Sequence, residues 1–340
     1  MRTNHIALLK TICLAGVIFL HAALPFTAPG RFWRFYAERQ SAFAEELCFW
    51  GGLIIIPSFM LASGYLAALS GNRQSRSVIG QIVNRAKRLL VPWFFLTVFW
   101  MVPLYTFFDL PAFNRPEGFT LVRTYRVGLS GLFTDHLWFL LTLFWVSCFW
   151  AIIQPLAKRF SVLSGLAFAI AAALLMNDYG RGLTWYAVWE TDGPLVWFVL
   201  GCVLFRYRER MERSAARRPL TLFAVNAALF VVLARNGVQT PLLHWITCAL
   251  GALAAFQICL HLARHYKTFR DIRLYSYFED NAFRFYLFHV PGAYLTFKIL
   301  FTMGMTSPLP FILLSFALNF CLTAGIVAVV NALEKRLIHA

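Results

Sequence analysis

Residues 308–331 read PLPFILLSFALNFCLTAGIVAVVN, 24 positions without a charged side chain. A hydrocarbon layer about 30 Å thick is crossed by about 20 predominantly apolar residues at helical rise, so this stretch is long enough to span one. Nine more of the same character lie upstream, at 6–25, 47–69, 89–108, 135–156, 161–176, 193–206, 219–234, 239–262 and 281–302. The sixth of the ten is short unless it begins nearer Trp185. Hydrophobic residues make up 60% of the 340 and charged residues 14%, against about 45–50% and about 25% in a soluble domain. The mean hydropathy is +0.65. With 35 Phe, 11 Trp and 12 Tyr, the chain carries more apolar area than one globular core of this length can bury. A soluble enzyme, a disordered chain and a disulfide-stapled secreted domain are excluded. The expectation is an all-α polytopic membrane protein with about ten transmembrane helices, forming a single domain over residues 1–340.

The formal net charge of +16 has two readings, nucleic acid or membrane topology. The positions of the charges separate them. Alternate connecting segments, from residues 1–5 to 332–340, hold 20 basic residues against six acidic ones. The opposite segments hold eight basic and nine acidic residues. A basic surplus on one side of an even number of spans places both termini in the cytoplasm. The surplus is a topology signal, and no nucleic-acid partner is expected. A cleaved signal peptide competes for the first span, but Lys10 interrupts its apolar run and no small-residue cleavage site follows.

Seven cysteines are scattered, almost all in apolar runs and with no C-x-x-C pair, so neither disulfides nor a metal site are expected. Two connecting segments on the expected outer side, 26–46 and 109–134, are longer than connection requires. They carry Phe32, Trp33, Phe35 and Tyr36 in the first and Tyr125 and Phe133 in the second. These aromatics suit an interfacial belt or lids over a polar substrate. The halves show no internal match of the kind an inverted-repeat transporter carries.

Ionisable groups at membrane depth are costly and are therefore functional candidates. Lys10 and His21 stand eleven residues apart in the first span. That separation returns to within ~20° of the same helix face and spans roughly 16 Å of axis. The alternative has Lys10 snorkelling to headgroups and His21 ending the helix at the interface. Arg85 and Arg88, three apart, share a face in Asn84–Pro92 and suit phosphate groups, or belong to the ordinary inner-side basic surplus. His136 and Trp138 open the fourth span behind Asp135, which also fits an interfacial belt. The ninth span buries Arg284 and His289, the latter roughly 12 Å from its start. Ser63, Gly64 and Tyr65 in the second span either pack a helix closely through small residues or serve the site.

Taken together these residues resemble the acyltransferase-3 family of membrane O-acyltransferases, which modify bacterial surface and exported carbohydrates. The family's first-helix signature, a basic residue, ten residues and then His, reads here Lys10-TICLAGVIFL-His21. Ser63-Gly64-Tyr65 resembles its F-F-x-x-S-G-Y element, with Met60 in place of one Phe. The Arg85/Arg88 pair resembles its R-x-x-R segment, His136–Leu140 its H-L-W-F-L element, and Tyr286–His289 its late Y-L-x-H. Ala7 stands where members commonly place an acid.

The resemblance implies a multi-pass protein of the bacterial inner membrane that uses cytosolic acyl-CoA, by default acetyl-CoA, as co-substrate and holds no bound cofactor. Its acceptor would be a carbohydrate or glycolipid beyond the membrane, and a glycan-synthesis complex is a further expected partner. Lys10, Arg85, Arg88, Ser63, Tyr65 and His289 would bind the donor, and His136 and Trp138 the acceptor. His21 would act as general base or as a transient acyl carrier. Two rival classes remain: an exporter or flippase of polysaccharide or lipid-linked sugar, with Lys10, His21 and His289 on its path, and a non-catalytic scaffold.

Overall fold

The computed structural model describes residues 3–28, 37, 39–73, 77–107, 121–131, 135–159, 161–179, 192–217, 219–237 and 240–339. Phe32, Trp33, Phe35, Tyr36, Phe133 and Trp185 lie outside them. Among the described residues every regular element is helical. In chain order they are α1 (Asn4–Ala23), α2 (Ala42–Arg73), α3 (Val78–Leu96), α4 (Val102–Phe107) and α5 (Leu121–Leu129). Then follow α6 (Trp138–Arg159), α7 (Val162–Tyr179), α8 (Asp192–Arg206), α9 (Arg208–Arg217) and α10 (Pro219–Arg235). The last are α11 (Pro241–Leu262), α12 (Tyr266–Asp271), α13 (Arg273–Asp280), α14 (Ala282–Thr302) and α15 (Pro308–His339).

Each of the ten apolar stretches lies on a helix over its described residues, apart from one or two at an end. By length and composition, six helical segments among the described residues can cross a membrane: Asn4–Phe26, Ala42–Ser70, Val78–Leu104, Asp135–Pro155, Pro241–Asp271 and Pro308–Arg336. Shorter apolar helices occupy Leu163–Asn177, Gly193–Arg206 and Thr221–Arg235. The third helix starts well before its apolar run at residue 89. The Ser77 hydroxyl accepts the Gly80 N–H at 3.1 Å, capping a polar first half that hydropathy does not see. Arg85 and Arg88 therefore sit within α3 rather than ahead of it.

Between α3 and α4, Thr97–Met101 form a π-helical segment closed by the Val102 N–H on the Thr97 carbonyl. Pro103 has no N–H for the carbonyl four residues back, which is a local reason for the widened turn. The Tyr125 hydroxyl of α5 donates to the Val98 carbonyl there at 3.3 Å.

Contacts divide the chain into two compact units. The first comprises residues 1–10, 53–102 and 121–264; the second 11–52, 103–120 and 265–340. Helices α1 and α2 contribute residues to both.

In the first unit α2 crosses α8 at two glycines. A Cβ on Gly64 would overlap the Phe198 carbonyl, and one on Gly201 would overlap the Leu61 carbonyl. The Cys202 thiol donates to the Gly64 carbonyl at 3.2 Å in the same crossing. Around it Ala67, Val146, Trp150, Leu195, Phe198 and Val199 form a buried apolar cluster. Helices α10 and α11 are joined by Asn226 Nδ2 donating to Gln257 Oε1 at 3.1 Å, which satisfies two amides at apolar depth.

In the second unit α14 and α15 pack antiparallel after a turn closed by Gly304, whose φ of +75° suits a residue without Cβ. Phe285 meets Phe320 at 5.2 Å between ring centroids, and Phe297 meets Phe311 at 5.9 Å. Near the other end of the pair, Arg284 hydrogen-bonds Asn331 and pairs with Glu334, while Asn331 Nδ2 donates to Asn281 Oδ1 at 2.9 Å. Phe19 on α1 packs edge-on against Phe316 of α15 at 5.4 Å.

Candidate functional site

The residues singled out from the sequence divide between the units. Lys10, Ser63, Tyr65, Arg85, Arg88, His136 and Trp138 belong to the first, and His21 and His289 to the second.

His21 lies in the last turn of α1 and His289 near the middle of the first half of α14. Nε2 of His289 is 3.0 Å from Nδ1 of His21, and the two rings are stacked within 8° of parallel with centroids 5.0 Å apart. Nδ1 of His289 is 2.7 Å from the Tyr286 carbonyl oxygen one turn back on the same helix. His289 is fully buried, and His21 is half-buried.

The surroundings of the pair hold both elements in place. On α1, the Leu20 carbonyl beside His21 faces the Cys48 thiol of α2 at 3.9 Å. After α1 the chain is tied by the Ala28 N–H to Glu45 and by the Ser41 N–H to the Phe26 carbonyl at 2.9 Å. On α14, Pro291 and Gly292 follow His289 closely. The hydrogen of Gly292 leaves room for the Asn319 side chain of α15, whose Oδ1 a Cβ there would overlap. Asn319 and Thr323 are buried, and the Thr323 hydroxyl donates to Asn319 Oδ1 at 3.2 Å. Ser315, one turn away on the same stripe, is also fully buried. Sequence reading missed this stripe, although Ser315, Asn319 and Thr323 recur every fourth residue in an apolar run.

In the first unit Lys10 and Arg88 lie within range of each other's charge, as do Arg85 and Arg88. Among the described residues no ion pair involves any of the three. Arg88 is thus the common neighbour of two other cations, and three like charges gather on α1 and α3 in this unit. Arg284 differs: Glu334 and Asn331 occupy its guanidinium, so it ties helices together in the second unit.

Tyr65 is buried, its ring edge-on to His5 at 5.4 Å and to Phe205 at 5.2 Å. His5 in turn meets Phe256 edge-on at 5.4 Å. Tyr65 thus stands among packed aromatic rings, Gly64 lies in the helix crossing, and Ser63 is half-buried. His5 escaped notice because it precedes the first apolar run. His136 is buried in a 3-10 turn after Asp135, whose φ of 42° bends the chain into α6, and Trp138 is half-buried at the start of that helix.

A highly apolar chain, helical throughout its described regular elements, whose second unit holds two hydrogen-bonded imidazoles is a multi-pass membrane protein with a candidate acid–base centre. A family model described as an acyltransferase domain, that of the acyltransferase-3 family, matches residues 4–328. The chain belongs to that family and is a membrane acyltransferase. No curated protein and no solved structure matches it.

Proposed function

We propose that this protein moves an acyl group, acetyl by default, from cytosolic acyl-CoA to a hydroxyl of a cell-surface or exported carbohydrate. On this reading ten helices cross the bacterial plasma membrane and both termini are cytoplasmic, as the sidedness of the basic residues favours. The observation that carries the catalytic assignment is the His21–His289 hydrogen bond at 3.0 Å, an imidazole pair inside an acyltransferase fold.

The chemistry follows from the residues. His21 takes the proton of the acceptor hydroxyl as its oxygen attacks the thioester carbonyl carbon. The tetrahedral intermediate collapses with cleavage of the C–S bond, CoA leaves as thiolate, and the proton held by His21 passes to that sulfur. The products are the ester and free CoA thiol. A two-step variant has His21 attack the thioester itself and hand the acyl group to the acceptor. The CoA phosphates are the anions that Lys10, Arg85 and Arg88 are suited to hold; Arg85 and Arg88 stand on one face of α3. Ser63 is the candidate for contact with the pantetheine arm, and His136 and Trp138 for contact with the sugar.

The test is acyl transfer from radiolabelled acetyl-CoA to carbohydrate by purified, lipid-reconstituted protein. Labelled ester that disappears in His21→Ala is the expected result. Sugar flux across the vesicle without acylation would instead establish the exporter, and neither activity the scaffold.

A further inference from the structure

The hydrogen-bond geometry around the imidazole pair determines which nitrogen of His21 can react. A backbone carbonyl oxygen only accepts, so the 2.7 Å contact between His289 Nδ1 and the Tyr286 oxygen requires the proton of neutral His289 to sit on Nδ1. Its Nε2 then carries a lone pair. The 3.0 Å contact from that atom to His21 Nδ1 is a hydrogen bond only if His21 supplies the hydrogen. Neutral His21 is therefore protonated at Nδ1, and its basic lone pair is on Nε2. Backbone carbonyl oxygen on α14, that of Tyr286 with that of Phe285 beside it, thus sets the tautomer of a side chain on α1 through one intervening ring.

We infer that His289 is a positioning residue that orients His21 and selects its Nε2 as the reacting atom, rather than a contact for the donor. This rests on the reading of His21 as the catalytic group, and it holds for either variant of the chemistry, since base and acyl carrier would both use Nε2. When His21 takes up the acceptor proton, both its nitrogens carry hydrogen. Nδ1–H continues to donate to His289 Nε2, so the imidazolium forms against an acceptor already in place and without reorganisation. His289 can do this because it is itself immobilised: it is fully buried, and its helix is held to α15 by Phe285 against Phe320 and by the Arg284 contacts to Asn331 and Glu334.

Asn and Gln at position 289 separate positioning from mere packing. The amide of Asn reaches the place of Nδ1 and can keep the Tyr286 bond, but it offers nothing at the place of Nε2. The amide of Gln reaches the place of Nε2, and its Oε1 can accept from His21. Steady-state acyl transfer by the reconstituted full-length protein, with binding of a non-transferable acetyl-CoA thioether, reads both roles. His289→Asn is expected to lower kcat by about 10²-fold or more, with thioether affinity and the KM for acetyl-CoA unchanged. His289→Gln is expected to recover at least tenfold of that loss. Wild-type kcat in His289→Asn, no recovery in His289→Gln, or a matching loss of thioether affinity would each overturn the assignment. A wild-type protein that transfers no acyl group would overturn the functional reading itself, which the parallel wild-type assay detects separately.

Discussion

Gly64 of α2 and Gly201 of α8 lie at the crossing of the two helices, each so close to the other helix that a Cβ would overlap a carbonyl oxygen, of Phe198 and Leu61 respectively. Both obstacles are backbone, which cannot swing aside as a side-chain end can. Overpacking a close helix contact costs about 1–3 kcal/mol. Gly64→Ala and Gly201→Ala are each expected at the upper end of that range or beyond it. Thermal unfolding in detergent measures this; melting temperatures equal to wild type would mean that the crossing has room for a methyl group.

His21→Ala removes the proposed base and should abolish turnover, a fall of about 10²–10⁴-fold from loss of acid–base catalysis. The helix should survive, because His21 lies in the last turn of α1 and Ala is a good helix former. Unchanged helical content by circular dichroism together with lost acyl transfer is the expected pair of results. Activity near wild type would remove His21 from the mechanism.

The three cations of the first unit make a different prediction. Replacing Arg85 or Arg88 with Ala removes a charge-assisted contact to phosphate, which corresponds to roughly a tenfold rise in the KM for acyl-CoA for each residue. The KM for the acceptor should stay where it is. Raising the salt concentration should weaken donor binding in the wild type and do so less in the variants, because screening acts only on charges that are present. Equal salt dependence in all three proteins would count against phosphate binding there.

Arg284 should behave unlike those cations. Its partners Asn331 and Glu334 tie the start of α14 to the end of α15, with the two charged side chains 34% and 51% exposed. A half-exposed pair of this kind contributes about 1 kcal/mol at most. Arg284→Ala is therefore expected to lower the melting temperature slightly and to leave the KM for acyl-CoA unchanged. A donor KM that rises as it does in Arg85→Ala would return Arg284 to the donor site.

Gly292→Ala tests the support behind the imidazole pair. Its Cβ would overlap Asn319 Oδ1, so the amide must move or α14 must shift one turn from His289. Such overpacking costs about 1–3 kcal/mol. A fall in kcat that Asn319→Ala relieves in the double variant is the expected signature. Strictly additive effects would show that the two residues act independently.

Much of this molecule was legible one residue after another. Hydropathy located stretches that lie on helices, because a helix in hydrocarbon satisfies its own backbone and that requirement acts over four residues. Six of the helical segments among the described residues are long and apolar enough to cross a membrane. The same local geometry predicts one helix face for Lys10 and His21, eleven residues apart. Where a local signal other than hydropathy mattered, as with the Ser77 cap that starts α3 early, the boundary moved. What pairs across the chain had no such signature. His21 and His289 are 268 positions apart, and nothing in either neighbourhood names the other as its partner. Arg284 read as a buried cation until Glu334, 50 residues on, stood beside it. Gly64 read equally as motif or as packing until Gly201 filled the opposite side of the crossing. Periodicity and charge are properties of a segment and can be counted along it. A tautomer, an ion pair and a helix crossing depend on which segments meet, and only the folded chain decides that.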